Sequence, residues 1–188
     1  MTHMAEDWPK IVGRRVTRVS PWMEIIERAV AFAPDAVPEL YHAVGQQDYI
    51  AIVARTPEGL MPIVRQYRPA LERFTWELPA GLVEAGETPE ACCRRELKEE
   101  TGFAARTVYA LGAYAPCTAR LSNQVHSFFV EAGERGEASD KGVALRLVSA
   151  TELATLIRQG EFVLQLHIGA LLLAGMGGFI DLTAFGGR

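Results

Sequence analysis

The stretch from Gly81 to Phe103 constrains this chain more than any other. Thr88 has the side chain of a helix N-cap, Pro89 fits the first helical position, and Glu90 suits the positive helix end. Gly102 supplies the residue on which helices stop, so a helix is predicted between Thr88 and Gly102. On it Glu96 and Glu100 are four apart and share one face, with Glu99 beside them. Like charges at that spacing repel and destabilise an isolated helix, so the cluster calls for a compensating cation. Hard carboxylate oxygens suit magnesium, with manganese as a substitute, the ions that accompany substrate phosphates. Arg95 lies four before Glu99 and can brace it, and Glu87, in the loop ahead of the helix, can reach back to Arg95. The competing reading of any Glu-rich helix is an exposed, solvated charged face.

Around this helix the pattern mixes strands and helices without strict alternation, which points to an α/β fold with a mixed sheet between helices. Strands are expected at Ile11–Val16, Tyr41–Val44, Tyr49–Ala54, Phe74–Leu78, Val108–Leu111, His126–Glu131 and Val143–Val148. Met23–Val30 reads as strand or short helix, because its apolar spacing is ambiguous. Thr56-Pro57-Glu58-Gly59 is a turn, and Met61–Tyr67 is expected to return as the second arm of a hairpin. A polar loop spans Ala132–Gly142. Ser149-x-x-Glu152 is a capping box opening a helix that ends near Gly160, and a last helix begins near Phe162. Two regions are expected: a β-rich N-terminal part, residues 1–50, and a main domain, residues 51–188.

The chain has 188 residues, 49% of them apolar, enough for a full core without metal or disulfide staples. Its net charge of −4 and the mixing of its charges exclude the basic stripe of a nucleic-acid binder. An acidic protein that handles phosphate must bring a cation or focus its few arginines locally. Cys92, Cys93 and Cys117 form neither a disulfide framework nor a zinc spacing, and the adjacent pair is expected to pack as buried thiols. Residues 1–7 are polar and acidic, unlike a secretory signal. The apolar run Phe162–Ile180 is broken by Gly175, Gly177 and Gly178 short of a full span, so a buried core helix is expected rather than a membrane helix. No nucleic acid or membrane partner is expected, and the expected location is the cytoplasm.

The Gly81–Phe103 segment resembles the signature of the Nudix family, Gly-x5-Glu-x7-Arg-Glu-U-x-Glu-Glu-x-Gly-U, where U is a bulky apolar residue. All its constrained positions are matched, by Gly81, Glu87, Arg95, Glu96, Leu97, Glu99, Glu100, Gly102 and Phe103. From average residue frequencies, a chance match is on the order of one in ten million. The resemblance implies the Nudix α/β/α sandwich and a loop–helix–loop that holds divalent metal against a diphosphate. It implies metal ligation by Glu96, Glu99, Glu100 and the carbonyl of Ala80, with Glu99, Glu100 and Arg95 in the catalytic machinery. Such a metal neutralises phosphate charge and lowers the pKa of the attacking water. Gly81 is expected to hold a backbone conformation that a side chain would obstruct.

Arg65-Gln66-Tyr67-Arg68-Pro69, Glu77-Leu78-Pro79-Ala80-Gly81, Leu121-Ser122-Asn123 and Gly169-Ala170-Leu171-Leu172 look like the ADP-ribose and nucleoside-diphosphate-sugar pyrophosphatase branch. That resemblance implies substrate contact by Arg68, whose fork can take phosphate oxygens in pairs, and a place near the metals for Glu77. It also implies a small-molecule nucleoside diphosphate substrate and a homodimer whose N-terminal strands complete the partner's site. Two departures stand out: Ala119 sits where many ADP-ribose enzymes have proline, and the loop that often carries a general-base glutamate offers Glu134, Glu137 and Asp140, none at the family's position. Glu137 is the choice among them. Trp22, Tyr41 and Trp76 could stack on a base or build the dimer interface, but isolated aromatics are more often core. His42, His126 and His167 lack ligand spacing and are expected to be structural. The implied reaction is hydrolysis of ADP-ribose or a related sugar to a nucleoside monophosphate and a sugar phosphate. The alternatives are a triphosphate house-cleaning pyrophosphatase and a non-catalytic nucleotide-sugar sensor.

Overall fold

The computed structural model describes residues 8–140 and 143–186; the reading of residues 1–7 as unlike a signal lies outside them. Ten strands and three α-helices follow one another in chain order. They are β1 (Lys10–Ser20), β2 (Met23–Ala31), β3 (Glu39–Gly45), β4 (Tyr49–Arg55), β5 (Met61–Arg68), β6 (Arg73–Glu77) and β7 (Ala80–Leu82). Helix α1 (Pro89–Thr101) precedes β8 (Phe103–Tyr114), β9 (Val125–Arg135) and β10 (Ala144–Val148), and helices α2 (Ala150–Arg158) and α3 (Gln165–Met176) follow.

Two compact units emerge, one taking in the chain up to Gln47 with Ala115–Gln124, the other Asp48–Tyr114 with Val125–Arg188. The first unit is an antiparallel sheet ordered β1-β2-β3, so Met23–Ala31 resolves to strand. The segment 115–124 attaches to β3: Val44 N donates to Arg120 O at 2.7 Å, and Ser122 N donates to Val44 O at 3.1 Å.

The second unit holds a four-stranded sheet ordered β7-β4-β9-β8, in which β4 and β9 run parallel and the other neighbours antiparallel, and an antiparallel sheet ordered β10-β5-β6. Successive strand residues point to opposite faces, and β4 uses both. Ile50, Ile52 and Ala54 pack with Cys92, Cys93 and Leu97 of α1. Ala51 and Val53 pack with Leu153 and Leu156 of α2 and Ala170, Leu171 and Ala174 of α3. The result is an α/β architecture with mixed sheet between helical layers. Burying a side chain such as Leu97 or Phe129, both fully enclosed, stabilises by ~1.5–3 kcal/mol each.

The expected hairpin from Tyr49 to Tyr67 does not form. The turn exists, with Gly59 N donating to Thr56 O at 2.9 Å, but β4 and β5 belong to different sheets. Both strands bury consecutive residues, Ile50 to Ala54 and Met61 to Val64, and such two-faced burial marks interior strands rather than the arms of a half-exposed ribbon. The Ala132–Gly142 loop is also shorter than expected, since β9 runs on to Arg135. Among the described residues no helix is long and apolar enough to cross a membrane. The Phe162 run becomes α3, which buries His167, Ala170, Leu171 and Ala174.

Candidate active site

Local rules build α1 as its sequence requires. Thr88 Oγ1 accepts from Ala91 N at 3.2 Å, Pro89 opens the helix, and Gly102 closes it with φ +79°. Gly102 answers a second demand as well: a Cβ there would lie 2.4 Å from the Gly136 carbonyl oxygen, because Gly136 N donates to Gly102 O at 2.9 Å. The loop after β9 is thereby folded onto the end of α1, where Ser139 N and Asp140 N both donate to Glu99 O, at 3.0 and 3.1 Å.

Arg95 is the brace of the cluster. Its Nε and Nη2 donate to the two carboxylate oxygens of Glu87, both at 2.9 Å, and its Nη1 donates to Glu96 at 2.7 Å and Glu99 at 3.0 Å. The Arg95 guanidinium holds the Glu87 carboxyl down at about 2, and Arg95 itself is held protonated by the same contacts. One arginine therefore fixes three of the signature carboxylates, and its Nη2 also donates to Leu82 O at 3.3 Å and Cys92 Sγ at 3.4 Å.

Glu100 is different. It is 3% exposed, accepts from Ala80 N at 3.0 Å and from Gln66 Nε2 at 2.5 Å, and both of these donors are uncharged. Burial pushes its carboxyl up to about 8; the donors oppose this, and the charges of Glu96 and Asp140 add to it. Burial also raises Glu96, against the pull of Arg95. Gly81 lies under this group, since a Cβ there would meet Glu96 Oε1 at 1.9 Å. The expectation that Gly81 avoids an obstruction thus has a named partner.

Among the described residues no three His, Cys, Asp or Glu side chains come together so as to hold a metal ion. Arg95 Nη1 engages Glu96 and Glu99 together, and both oxygens of Glu100 are in use. The donor chemistry nonetheless fits a hard divalent cation: Glu96, Glu99 and Glu100 offer carboxylate oxygen, and the buried Glu100 has no cationic hydrogen-bond partner to offset its charge.

Arg68 and Glu77 meet as a fork, Nε to Oε1 at 2.7 Å and Nη2 to Oε2 at 2.5 Å, with Thr75 Oγ1 adding a bond of 2.6 Å. Burial works against the charge of Glu77, but these bonds bring its carboxyl below the usual value. The Arg68 side chain keeps 41% exposure while Glu77 has 3%. In the loop, Glu137 and Asp140 are both exposed, and of the two it is Asp140 whose charge adds to the raising of both Glu96 and Glu100. The loop's bonds to Glu99 O bring Asp140 to the end of α1, a placement that its sequence does not announce. Gln66 was missed: nothing in a strand residue announces a partner thirty-four positions away.

Core packing is not the fate of two aromatics. Trp22 and Tyr41 are 66% and 46% exposed, because the β1-β2-β3 sheet has no covering layer within its own unit. Trp22 instead lines a hollow of about 260 Å³ with Arg18, Glu24 and Gln46. His42 faces Glu27 at 3.4 Å and His126 faces Asp48 at 3.2 Å. Cys92 and Cys93 are enclosed, and burial pushes both thiols up to about 12.

A solved structure described as an ADP compounds hydrolase superposes with a TM-score of 0.77 over 93% of this chain and 98% of that one, at 18% identity, which shows the fold. The ADP-ribose pyrophosphatase of Bacillus subtilis (strain 168) is 40% identical over 82 residues, 44% of each chain. That of Mycobacterium tuberculosis is 51% identical over 59 residues, 31% of this chain and 28% of its own. These matches span less than half the length of either relative. A CMP-5'-(N-acetyl-N-hydroxy-3-aminopropyl)phosphonate hydrolase of Streptomyces rubellomurinus is 27% identical over 88% of this chain and 82% of its own. The family model described as NUDIX domain matches residues 45–165, across β4 to the start of α3 and through the whole acidic helix, and the chain belongs to the Nudix family.

Proposed function

We propose that this chain is a divalent-metal-dependent hydrolase that splits a nucleoside diphosphate linked to a sugar, ADP-ribose foremost, releasing a nucleoside monophosphate and a sugar phosphate. The observation that carries the reading is the acidic helix itself: Glu96 lies against Gly81, Arg95 ties Glu96 to Glu99, and Glu100 is buried with its carboxyl raised. The names of the Bacillus and Mycobacterium relatives support the substrate class.

Glu96, Glu99 and Glu100 would hold magnesium, or manganese in its place, with the Ala80 carbonyl as a further donor. When bound, the cation supplies charge neutralisation at the diphosphate and activation of water. Arg95 keeps the ligands in place through its bonds to Glu87, Glu96 and Glu99. Arg68 is oriented by Glu77 and still presents an exposed edge for phosphate oxygens. Asp140, beside Glu96 and Glu100, is better placed than Glu137 to accept a proton from the attacking water. The β1 edge strand carries half-exposed Ile11, Val12, Val16 and Val19, an unpaired apolar edge that a second copy would cover; light scattering should give twice the monomer mass.

The test is a product assay with magnesium over ADP-ribose, ADP-glucose, UDP-glucose, GDP-mannose, a CMP-phosphonate and the triphosphates. AMP released fastest from ADP-ribose supports the reading. Preference for the CMP-phosphonate, which the fuller match to the Streptomyces enzyme favours, would keep the reaction and change the substrate. Preference for triphosphates would overturn the reading.

A further inference from the structure

Leu78 and Pro79 carry the chain from β6 of one sheet to β7 of the other. Site groups lie on both sides of this crossover. Glu77, just before it, grips Arg68, and Ala80, just after it, donates its N–H to Glu100. The crossover has left one ladder without completing the next, so its backbone groups need other partners. Ile52 N donates to Pro79 O at 2.9 Å and Trp76 N to Glu161 O at 2.9 Å. Leu78, 1% exposed, finds its acceptor in a side chain: its N–H donates to His167 Nδ1 at 3.0 Å.

His167 sits on α3, 1% exposed, and its Nε2 has no partner. Because Nδ1 accepts, the proton of the neutral ring is on Nε2, where it is buried and unmet. An orphaned buried donor is destabilising, a cost that an apolar residue of similar volume would avoid. What that residue could not supply is the acceptor for Leu78. We propose that His167 is a positioning residue of the active site: by holding the Leu78 amide through Nδ1 it fixes the crossover, and with it the Ala80 amide and Glu77 against Glu100 and Arg68. Burial holds the imidazole down to about 4, so the ring is a neutral acceptor at ordinary pH. A cationic side chain would bring only donors to the same spot.

The proposal rests on the hydrolase reading of the site, and its test separates the two. His167→Leu removes the acceptor, while His167→Asn places an amide oxygen where Nδ1 stood. Groups that orient metal ligands from behind change metal affinity or activity by ~10–100-fold when lost. His167→Leu should therefore bind Mn²⁺ about tenfold or more weakly and lose kcat by a similar factor at little-changed KM, and His167→Asn should recover most of both. Nitrogen-15 spectra of the wild-type imidazoles at pH 7, assigned by the resonances missing in His167→Asn, should show His167 protonated on Nε2. The proposal is overturned if the ring is protonated on Nδ1, if His167→Leu matches wild type, or if the Leu and Asn variants lose function equally. If wild type binds Mn²⁺ but hydrolyses nothing in the panel, the hydrolase reading falls, and the Mn²⁺ and imidazole results still decide the role of His167.

Discussion

Replacing Glu100 by glutamine should make the metal-free protein more stable at alkaline pH while abolishing turnover. The buried carboxyl of Glu100 titrates at about 8 instead of 4.5, a preference for its neutral form of ~5 kcal/mol. A carboxyl raised in the folded state contributes its full stability below its unfolded value and loses it as pH rises through the folded one. Metal-free wild type should therefore lose stability steadily from about pH 5 to pH 8. Glutamine keeps the neutral shape, its oxygen can accept from Ala80 N, and the Gln66 amide can flip to receive its NH₂. Thermal melts in chelator from pH 5 to 9 read the effect. At ~2–4 °C per kcal/mol for a chain of this length, even two-fifths of the calculated preference shifts the midpoint by ~4–8 °C. Glu100→Gln should rise above wild type as pH climbs past about 5 and show a much flatter profile, the remaining slope coming from Glu96, which burial also raises. With magnesium present the order should reverse, since only the wild type gains a ligand. A flat wild-type profile, or an equal slope in Glu100→Gln, would refute the claim that Glu100 is a buried charge in need of a cation.

Gly81→Ala should fold with little loss of melting temperature and yet lose ~100-fold or more in kcat/KM, because its new Cβ would displace the flexible Glu96 carboxylate rather than backbone; steady-state kinetics beside a melt decides. Arg68→Ala leaves Glu77 buried without its fork and should cost ~2–3 kcal/mol, less than a fully buried pair because Arg68 is partly exposed. Since Glu77 is held below its ordinary value, that loss should be full at neutral pH and shrink on acidification, as melts at pH 7 and pH 4 would show.

The acidic helix was legible because its signals are local: Thr88 and Gly102 act within one turn of themselves, and Glu96, Glu99 and Glu100 share a face by helical period alone. Arg95 as brace was legible for the same reason, being four residues from Glu99. What escaped was set by tertiary contact. The destinations of β4 and β5 depend on which faces are covered, and consecutive apolar residues reveal burial without naming the neighbour. Gln66 reaches Glu100, and His167 reaches Leu78 eighty-nine positions away, through a sheet order that no window of residues encodes. The place of Asp140 beside the end of α1 depends on two backbone amides on Glu99 O, which no local pattern announces. Trp22 and Tyr41 escape the expectation that large aromatics are enclosed, because which positions of a three-stranded sheet stay exposed is not visible in one strand's composition.

The attachment of Ala115–Gln124 to β3 gives the chain an interleaved construction. The backbone passes between the two units after Gln47, after Tyr114 and again after Gln124, so the N-terminal strands are not a bead on a string. Cutting them away would strip the Arg120 carbonyl and Ser122 amide of their bonds to Val44 and leave the ten residues between β8 and β9 without the strand they attach to. Such a segment could not be borrowed, lost or shuffled as a cassette. Any rearrangement of the leading sheet must be matched, in the same stroke, by a change more than sixty residues further along.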